Sequence, residues 1–284
     1  MSKRTKKQHI NPRYLLARFA EDATAKRPQI WTWDKAAARI YKQSVLDAAQ
    51  EHLFYDSPLI DAAVGVPQFT ETKHLAGLDG HYAGYIDELL ARIGQKGFVF
   101  AFQEQDRVAL SSMCAHLLLR GRTTRALTNL LAENAGAMET GASLQARMLL
   151  DRHENASAAL ILVPERALLN VFLNANGRPY LMPDVAISLR IGRVNGKDCV
   201  QTSLPLSPRV LISAIWPILE TLTPTSSQVA IEASATDVAE QQVLAVRNAD
   251  RFVFAPEPQI LDDLGTAIFQ YRDERGARSN ASQP

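Results

Sequence analysis

The chain has 284 residues, of which 46% are hydrophobic and 21% charged, a composition that excludes wholesale disorder and supplies enough apolar side chains for a sizeable core. Its 31 Lys plus Arg nearly balance 30 Asp plus Glu, giving a formal net charge of +1, so no global field draws it onto nucleic acid or anionic lipid and any charge argument must be local. The two cysteines, Cys114 and Cys199, form no CxxC pair, which excludes zinc held by paired thiolates and fits a reducing cytosol.

The opening MSKRTKKQHINPRYLL is basic and lacks the apolar run of a secretory signal. No stretch approaches the roughly 20 apolar residues that span a bilayer, so a cytoplasmic protein with no membrane association is expected. Residues 1–8 carry Lys3, Arg4, Lys6 and Lys7 with almost nothing apolar and read as a flexible basic arm. Asn11 then stands where it can cap a short helix that begins at Pro12 and presents Leu15, Leu16 and Phe19 on one side. Residues 29–33 alternate around Trp31 and Trp33 and predict a hairpin with 39–43.

From 44 to about 97 the pattern becomes helical, with Tyr82, Tyr85, Ile86, Leu89, Leu90 and Ile93 on one face and Gly94 and Gly97 as its end. Residues 103–150 are helical at three- and four-residue steps through Leu110, Met113, Cys114, Leu117 and Leu118, with breaks at Gly121, Gly136 and Gly141. After Pro164 the period drops to two, and Asn176-Gly177 and Asn195-Gly196 favour the positive φ of tight hairpin turns. Strands are predicted near 167–174, 178–182, 185–193, 198–204 and 209–216, an antiparallel meander. Ser234 with Asp237 forms a capping box for a helix to about Asn248, followed by a short strand at 252–254 and a last helix.

The fold class is therefore α+β: a helical lobe over about 44–160 packed against a C-terminal antiparallel β-meander over 165–255 that carries one helix, with a small N-terminal hairpin. Residues 9–270 are expected to form a single two-lobed domain, and 271–284 a flexible tail.

The segments KKQHINPRYLLARFA, IWTWDK and EHLFY follow one another in an order that resembles the opening of a bacterial family known as domain of unknown function 4238. Downstream, LPLSPRVLI at 204–212 and VRNADRFVFA at 246–255 are similar to that family's later segments, so the resemblance covers most of the chain. Where relatives carry a Ser-Asp-Asn-Pro turn, this chain has MPDVAI and keeps Asp184. The family has no assigned activity, so the resemblance implies positions rather than a reaction: Gln8, His9, Arg13, Asp184, Arg209 and Asn248 are the polar members of its motifs.

Of these, His9 and Asp184 are the candidate catalytic pair, with Gln8, Arg13, Arg209 and Asn248 as candidate binding residues. His9 and Arg13, four apart on a first helical turn, can present an imidazole and a guanidinium to one phosphate. The alternative is that His9 bonds a strand carbonyl and Arg13 pairs with an acid. Asp184, between two strands, can act as a base or bind a metal, or else accept a backbone N–H in an Asx turn. Pro183-Asp184 with Asn195-Gly196-Lys197 is an incomplete nuclease motif, because the second carboxylate is missing.

Arg120, Arg122 and Arg125 form a basic cluster at a helix break and read as a solvated face that can also meet backbone phosphates. The six histidines at 9, 52, 74, 81, 116 and 153 show no metal-binding spacing, and no dinucleotide, P-loop or serine-hydrolase signature occurs. Trp31, Trp33, Phe54 and Tyr55 read as core. No metal or cofactor is assigned. The expected function is an enzyme acting on a phosphate-containing or nucleic-acid substrate through a His/Arg/Asp pocket, or alternatively a non-catalytic binding or regulatory module that engages a protein or nucleic acid.

Overall fold

The computed structural model describes residues 7–134, 140–150, 168–194, 196–217 and 230–265. Gly136, Pro164, Asn195, residues 1–6 and the tail from 266 onward lie outside them. The α+β class stands, with helices and three sheets arranged as follows.

Lys7 and Gln8, assigned by sequence to the basic arm, lie in a strand, β1 (Lys7–His9), which pairs antiparallel with β4 (Gln50–His52). Asn11 does not cap the next helix, α1 (Arg13–Leu16): its side chain instead donates to the Pro183 carbonyl at 2.9 Å, while Pro12 takes the capping position. With only one turn, α1 adds no useful macrodipole. Leu15, Leu16 and Phe19 point into the core as expected.

The hairpin of β2 (Gln29–Asp34) and β3 (Arg39–Ser44) forms as the alternation predicts. Residues 44–97 are helical only in part, because β4 interrupts them before α2 (Pro58–Val64), a π-helical turn Thr70–Leu75 and α3 (Ala76–Lys96). Tyr82, Ile86, Leu89 and Ile93 form the buried stripe of α3. Gly94 stays inside that helix, and Gly97, at φ +53°, ends it. Next come α4 (Glu104–Arg120), α5 (Arg122–Asn134) and α6 (Gly141–Leu150), with Gly121 and Gly141 at the breaks. Asp106, fully buried in the first turn of α4, accepts from Tyr85 and Arg92 of α3 and so ties the two long helices together.

The larger sheet has the order β10-β5-β9-β8-β7, built from β5 (Leu168–Leu173), β7 (Ser188–Val194), β8 (Lys197–Ser207), β9 (Val210–Pro217) and β10 (Ala230–Glu232). Strands β7, β8 and β9 are the antiparallel meander, and Gly196 at φ +78° turns between the first two. The strand expected at 178–182 is displaced: β6 (Met182–Pro183) pairs with β11 (Phe252–Ala255) in a second sheet of order β3-β2-β11-β6. Asn176-Gly177 accordingly makes no hairpin. The Asn174 side-chain Oδ1 accepts the Asn176 backbone N–H and its Nδ2 donates to the Arg178 carbonyl, so an asparagine side chain turns the chain out of the sheet. Gly177 is not among the glycines with positive φ.

The helix predicted after Ser234, α7 (Ala235–Asn248), carries the complete capping box with Asp237, and residues 259–265 form a last helix, α8. The main cluster of buried side chains joins the stripes of α1, α3 and α4 to inward residues of the larger sheet, among them Leu204, Ile212 and Trp216. Trp33, Phe54 and Tyr55 are buried as expected, and Trp31 is half-buried.

Candidate functional site

The register of β1 against β4 sets the opening motif. Gln8 faces inward and is fully buried, its Oε1 accepting the Tyr55 backbone N–H at 2.5 Å. His9 turns to the other side, where its Nε2 lies 3.1 Å from Gln50 Nε2 and the ring also bonds the Leu46 backbone. Burial, then the charges of Arg13 and Arg120, hold His9 down at about 4, so the ring is neutral across the physiological range. Arg13, in contrast, is exposed and has no hydrogen-bond or ion-pair partner among the described residues.

The helical lobe contributes the facing wall. Gln68 is buried yet sits at φ +52°, a strained left-handed geometry for a non-glycine residue, and leads into the π-helical turn. Such turns are rare and concentrate at functional sites. This one carries Glu71, whose Oε2 is buried without a hydrogen-bond partner. Burial pushes the Glu71 carboxyl up to about 7, against the pull of Arg120 and Arg13 and with the push of Asp79. Asp79, in the first turn of α3, is ion-paired at 2.5 Å with Arg120. Tyr14 stands on the α1 side with its hydroxyl also buried and unpartnered. Burial and the charge of Asp79 raise its ionisation well above the phenolic norm.

Arg120 corrects the reading of a solvated basic face. The residue is 1% exposed, and its side chain donates to the His9 carbonyl at 2.9 Å as well as to Asp79 and lies over the Tyr55 ring. Tyr55 closes the loop by donating its hydroxyl to the Arg120 carbonyl. Arg125 likewise turns inward, to the Gln145 amide oxygen at 2.8 Å and the Phe54 carbonyl, stacked over the Phe54 ring. The arginines cluster in sequence because they cross-link the lobe's interior.

Arg122 links this wall to Asp184. One guanidinium edge meets Glu51, which pairs with Gln8 across the β1–β4 ladder, and Nη1 lies 2.9 Å from Asp184 Oδ2. Asp184 is 2% exposed and accepts three backbone N–H groups as well, from Asp250, Arg251 and Phe252 at 2.8 to 3.0 Å. Its carboxylate therefore closes the β6–β11 corner. The Asn11 bond to Pro183 places the opening motif against that same corner.

The opening motif thus meets the Asp184 corner through Asn11 and through Glu51 and Arg122, while Arg120 holds the His9 carbonyl and Arg13 bonds to neither. Arg209 and Asn248 do not join them. Arg209 lies in the β8–β9 turn, donating to the Asn176 carbonyl. Asn248, at the end of α7, holds β7 by accepting from the Leu189 N–H. Sequence reasoning missed Tyr14, Glu71, Asp79 and Arg120 as members of one cluster. Their only trace is a carboxyl pair eight residues apart in a helical stretch, which no motif distinguishes from a solvated face.

The arrangement offers an unpaired guanidinium for an anion, a carboxyl poised to give or take a proton near neutrality, and a charge-balanced ion pair behind it. Among the described residues no three His, Cys, Asp or Glu side chains form a metal-binding group, and no helix is long and apolar enough to cross a membrane. No curated protein and no solved structure matches the chain at a significant level. A family model described as protein of unknown function (DUF4238) matches residues 7–258, most of the chain. The chain therefore belongs to that family, and the Gln-His motif, the Asp184 turn and the strand at 252–255 all fall within the matched span.

Proposed function

We propose that the chain is an enzyme acting on a phosphate-containing substrate at the cluster of His9, Arg13, Tyr14, Glu71, Asp79 and Arg120. Arg13 holds the anion, Glu71 delivers or accepts the proton, and the Arg120–Asp79 pair fixes the wall behind them. The observation that carries this reading is an exposed guanidinium with no hydrogen-bond or ion-pair partner among the described residues, whose charge acts on a carboxyl whose buried oxygen also has no hydrogen-bond partner. In this reading His9 and Asp184 position the site: the first orients β4 through Gln50, and the second anchors the corner on which Asn11 rests. A bacterial cytoplasmic setting belongs to the same reading and is supported by Cys114 and Cys199 being buried and unbridged.

The test is turnover of a panel of phosphate monoesters, diesters, nucleotides and short oligonucleotides, with and without divalent metals. Arg13→Ala and Glu71→Gln are expected to lower kcat/KM by about 100-fold or more while thermal unfolding stays that of a folded protein. Binding of a nucleic acid or protein with no turnover of any substrate, and with affinity unchanged in Glu71→Gln, would replace this reading with that of a binding module.

A further inference from the structure

The larger sheet ends on β7 (Ser188–Val194), the longest edge strand among the described residues, which pairs with β8 on one side and with no described strand on the other. Three observations fix which of its backbone groups face outward. The Gly192 carbonyl lies 3.5 Å from Cys199 Sγ of β8, so Gly192 turns its N–H and C=O toward β8. Pro217, which has no N–H, stands opposite Cys199 on the β9 side, as that alternation requires. The Leu189 N–H is held from outside the sheet, by Asn248 Oδ1 of α7 at 3.0 Å. Residues 189, 191 and 193 therefore point their backbone groups away from β8. Leu189 has its donor capped, whereas Ile191 and Arg193 leave two N–H and two C=O groups with no partner among the described residues.

The side chains leave the same edge open. Ile191 stands opposite Val200, on the face of the sheet that carries the main core, yet it is 71% exposed while Val200 is buried, so the core ends at β8 at this level. An apolar side chain beside unpaired backbone groups is the combination that admits another strand. Such edges are ordinarily guarded by charge, but both arginines here are engaged along their own sheet. Arg190 donates to the Gln201 amide oxygen at 3.0 Å, and Arg193 is ion-paired with Asp198 at 2.7 Å. The edge consequently offers no unpaired charge to select an acidic or a basic segment, and what it fits is a strand as neutral as itself.

We infer that β7 pairs antiparallel with β7 of a second copy of this chain, about a two-fold axis at Gly192, joining two five-stranded sheets into one. In this register Ile191 faces Arg193 of the second copy and Gly192 faces Gly192. Each Ile191–Arg193 couple exchanges both backbone bonds, so every open group of the edge is satisfied, and the pairing stops at the capped Leu189. No two like charges stand directly opposite, and each Ile191 lies along the aliphatic stem of an arginine. An axis at Ile191 would instead set the Arg193 carbonyl against the Leu189 N–H that Asn248 already holds. Gly192 suits the central place. Its φ is not positive, and a Cβ built on it meets nothing within 4 Å, so neither the backbone conformation nor the chain's own packing calls for a glycine there. Glycine inside a strand is a mark of close approach by another backbone.

A standard interface buries about 800 Å² on each partner, more than one strand edge provides, so a dissociation constant of about 10–100 µM is expected. The test is sedimentation velocity of the full chain from about 2 to 300 µM, over which the parent should pass from monomer to dimer. Ile191→Pro removes an outward donor without touching the ladder to β8, and Ile191→Lys sets a free charge on the edge. Each should raise the dissociation constant at least about tenfold while circular dichroism and thermal unfolding remain those of a folded protein. If Ile191→Pro fails to fold, Ile191→Lys alone decides. A parent that stays monomeric up to about 300 µM, or a dimer whose dissociation constant moves less than about threefold in Ile191→Lys, overturns the inference.

Discussion

The Glu71 carboxyl and the His9 imidazole make opposite demands on pH, and their separation is measurable in stability alone. Burial raises Glu71 from 4.5 to about 7, so the folded state holds a proton that the unfolded chain releases earlier. The stability this gives is complete below about pH 4.5 and is lost as pH rises through 7, worth about 3 kcal/mol at roughly 1.4 kcal/mol per pH unit. His9 runs the other way. Burial, then Arg13 and Arg120, lower it from 6.5 to about 4. Its contribution is complete above about pH 6.5 and lost as pH falls through 4, again about 3 kcal/mol. Between about pH 4.5 and 6.5 the two slopes oppose each other, and the parent should show a nearly flat denaturation midpoint from these groups. Glu71→Gln removes one slope only. Its stability relative to the parent should climb by about 3 kcal/mol from pH 4.5 to pH 7.5, followed by urea unfolding monitored by tryptophan fluorescence at each pH. A stability difference between the two proteins that stays constant to within about 0.5 kcal/mol over that range would show that the carboxyl is as well solvated folded as unfolded, and would sink the argument.

Asp184→Ala removes the acceptor of three backbone N–H groups and of Arg122, and is expected to cost about 3–5 kcal/mol, read as a fall of roughly 6–15 °C in Tm. Loss of turnover with Tm within about 2 °C of the parent would instead place this carboxylate in the chemistry. Ser234→Ala breaks the capping box at the start of α7 and should cost about 1 kcal/mol, whereas Ser234→Gly costs only a few tenths; equal effects would mean the hydroxyl does not cap. Cys114 and Cys199 are both buried, and burial pushes the Cys114 thiol up to about 12, so a thiol reagent at about pH 8 should label neither cysteine until denaturant is added. Rapid labelling of native protein would show the interface of α4 with the larger sheet to be open.

What the sequence made legible follows from how local each signal is. The β2–β3 hairpin, the stripe of α3 and the Ser234–Asp237 capping box depend on neighbours within a few residues, and each forms where its pattern stands. The strand at 178–182 failed because strand period says nothing about which sheet a strand joins. Asn174, four residues before Arg178, decides that by turning the chain away. The opening motif reaches the Asp184 corner through Asn11 and Arg122, neither of which its pattern marks for that role, and the reading of Arg120, Arg122 and Arg125 as a solvated face was not upheld. Three closely spaced arginines resemble a surface patch unless their acids are visible, and those acids lie at positions 51, 79 and 184. Glu71 was illegible for a further reason: a π-helical turn has no sequence signature at this length.

Three strained connections lie next to the elements that the internal arginines tie down. Ala49, Leu53 and Gln68 all lie at φ near +50°, a geometry that costs a non-glycine residue roughly 1–2 kcal/mol. Two of them bracket β4, and the third precedes the turn that carries Glu71. Relaxing Ala49 or Leu53 would move β4 and with it Gln50 and Glu51, the partners of His9 and Arg122. Relaxing Gln68 would swing the π-helical turn away from Arg120 and Asp79. Gln68 is held by Asp56 and Asp61, and Ala49 by the Ile10 N–H, while the arginines fix the neighbours of these residues, Arg122 at Glu51 and Arg125 at Phe54. Arg120, Arg122 and Arg125 are committed to internal partners, and Arg13, which has none among the described residues, is the charge on which the proposed anion site rests.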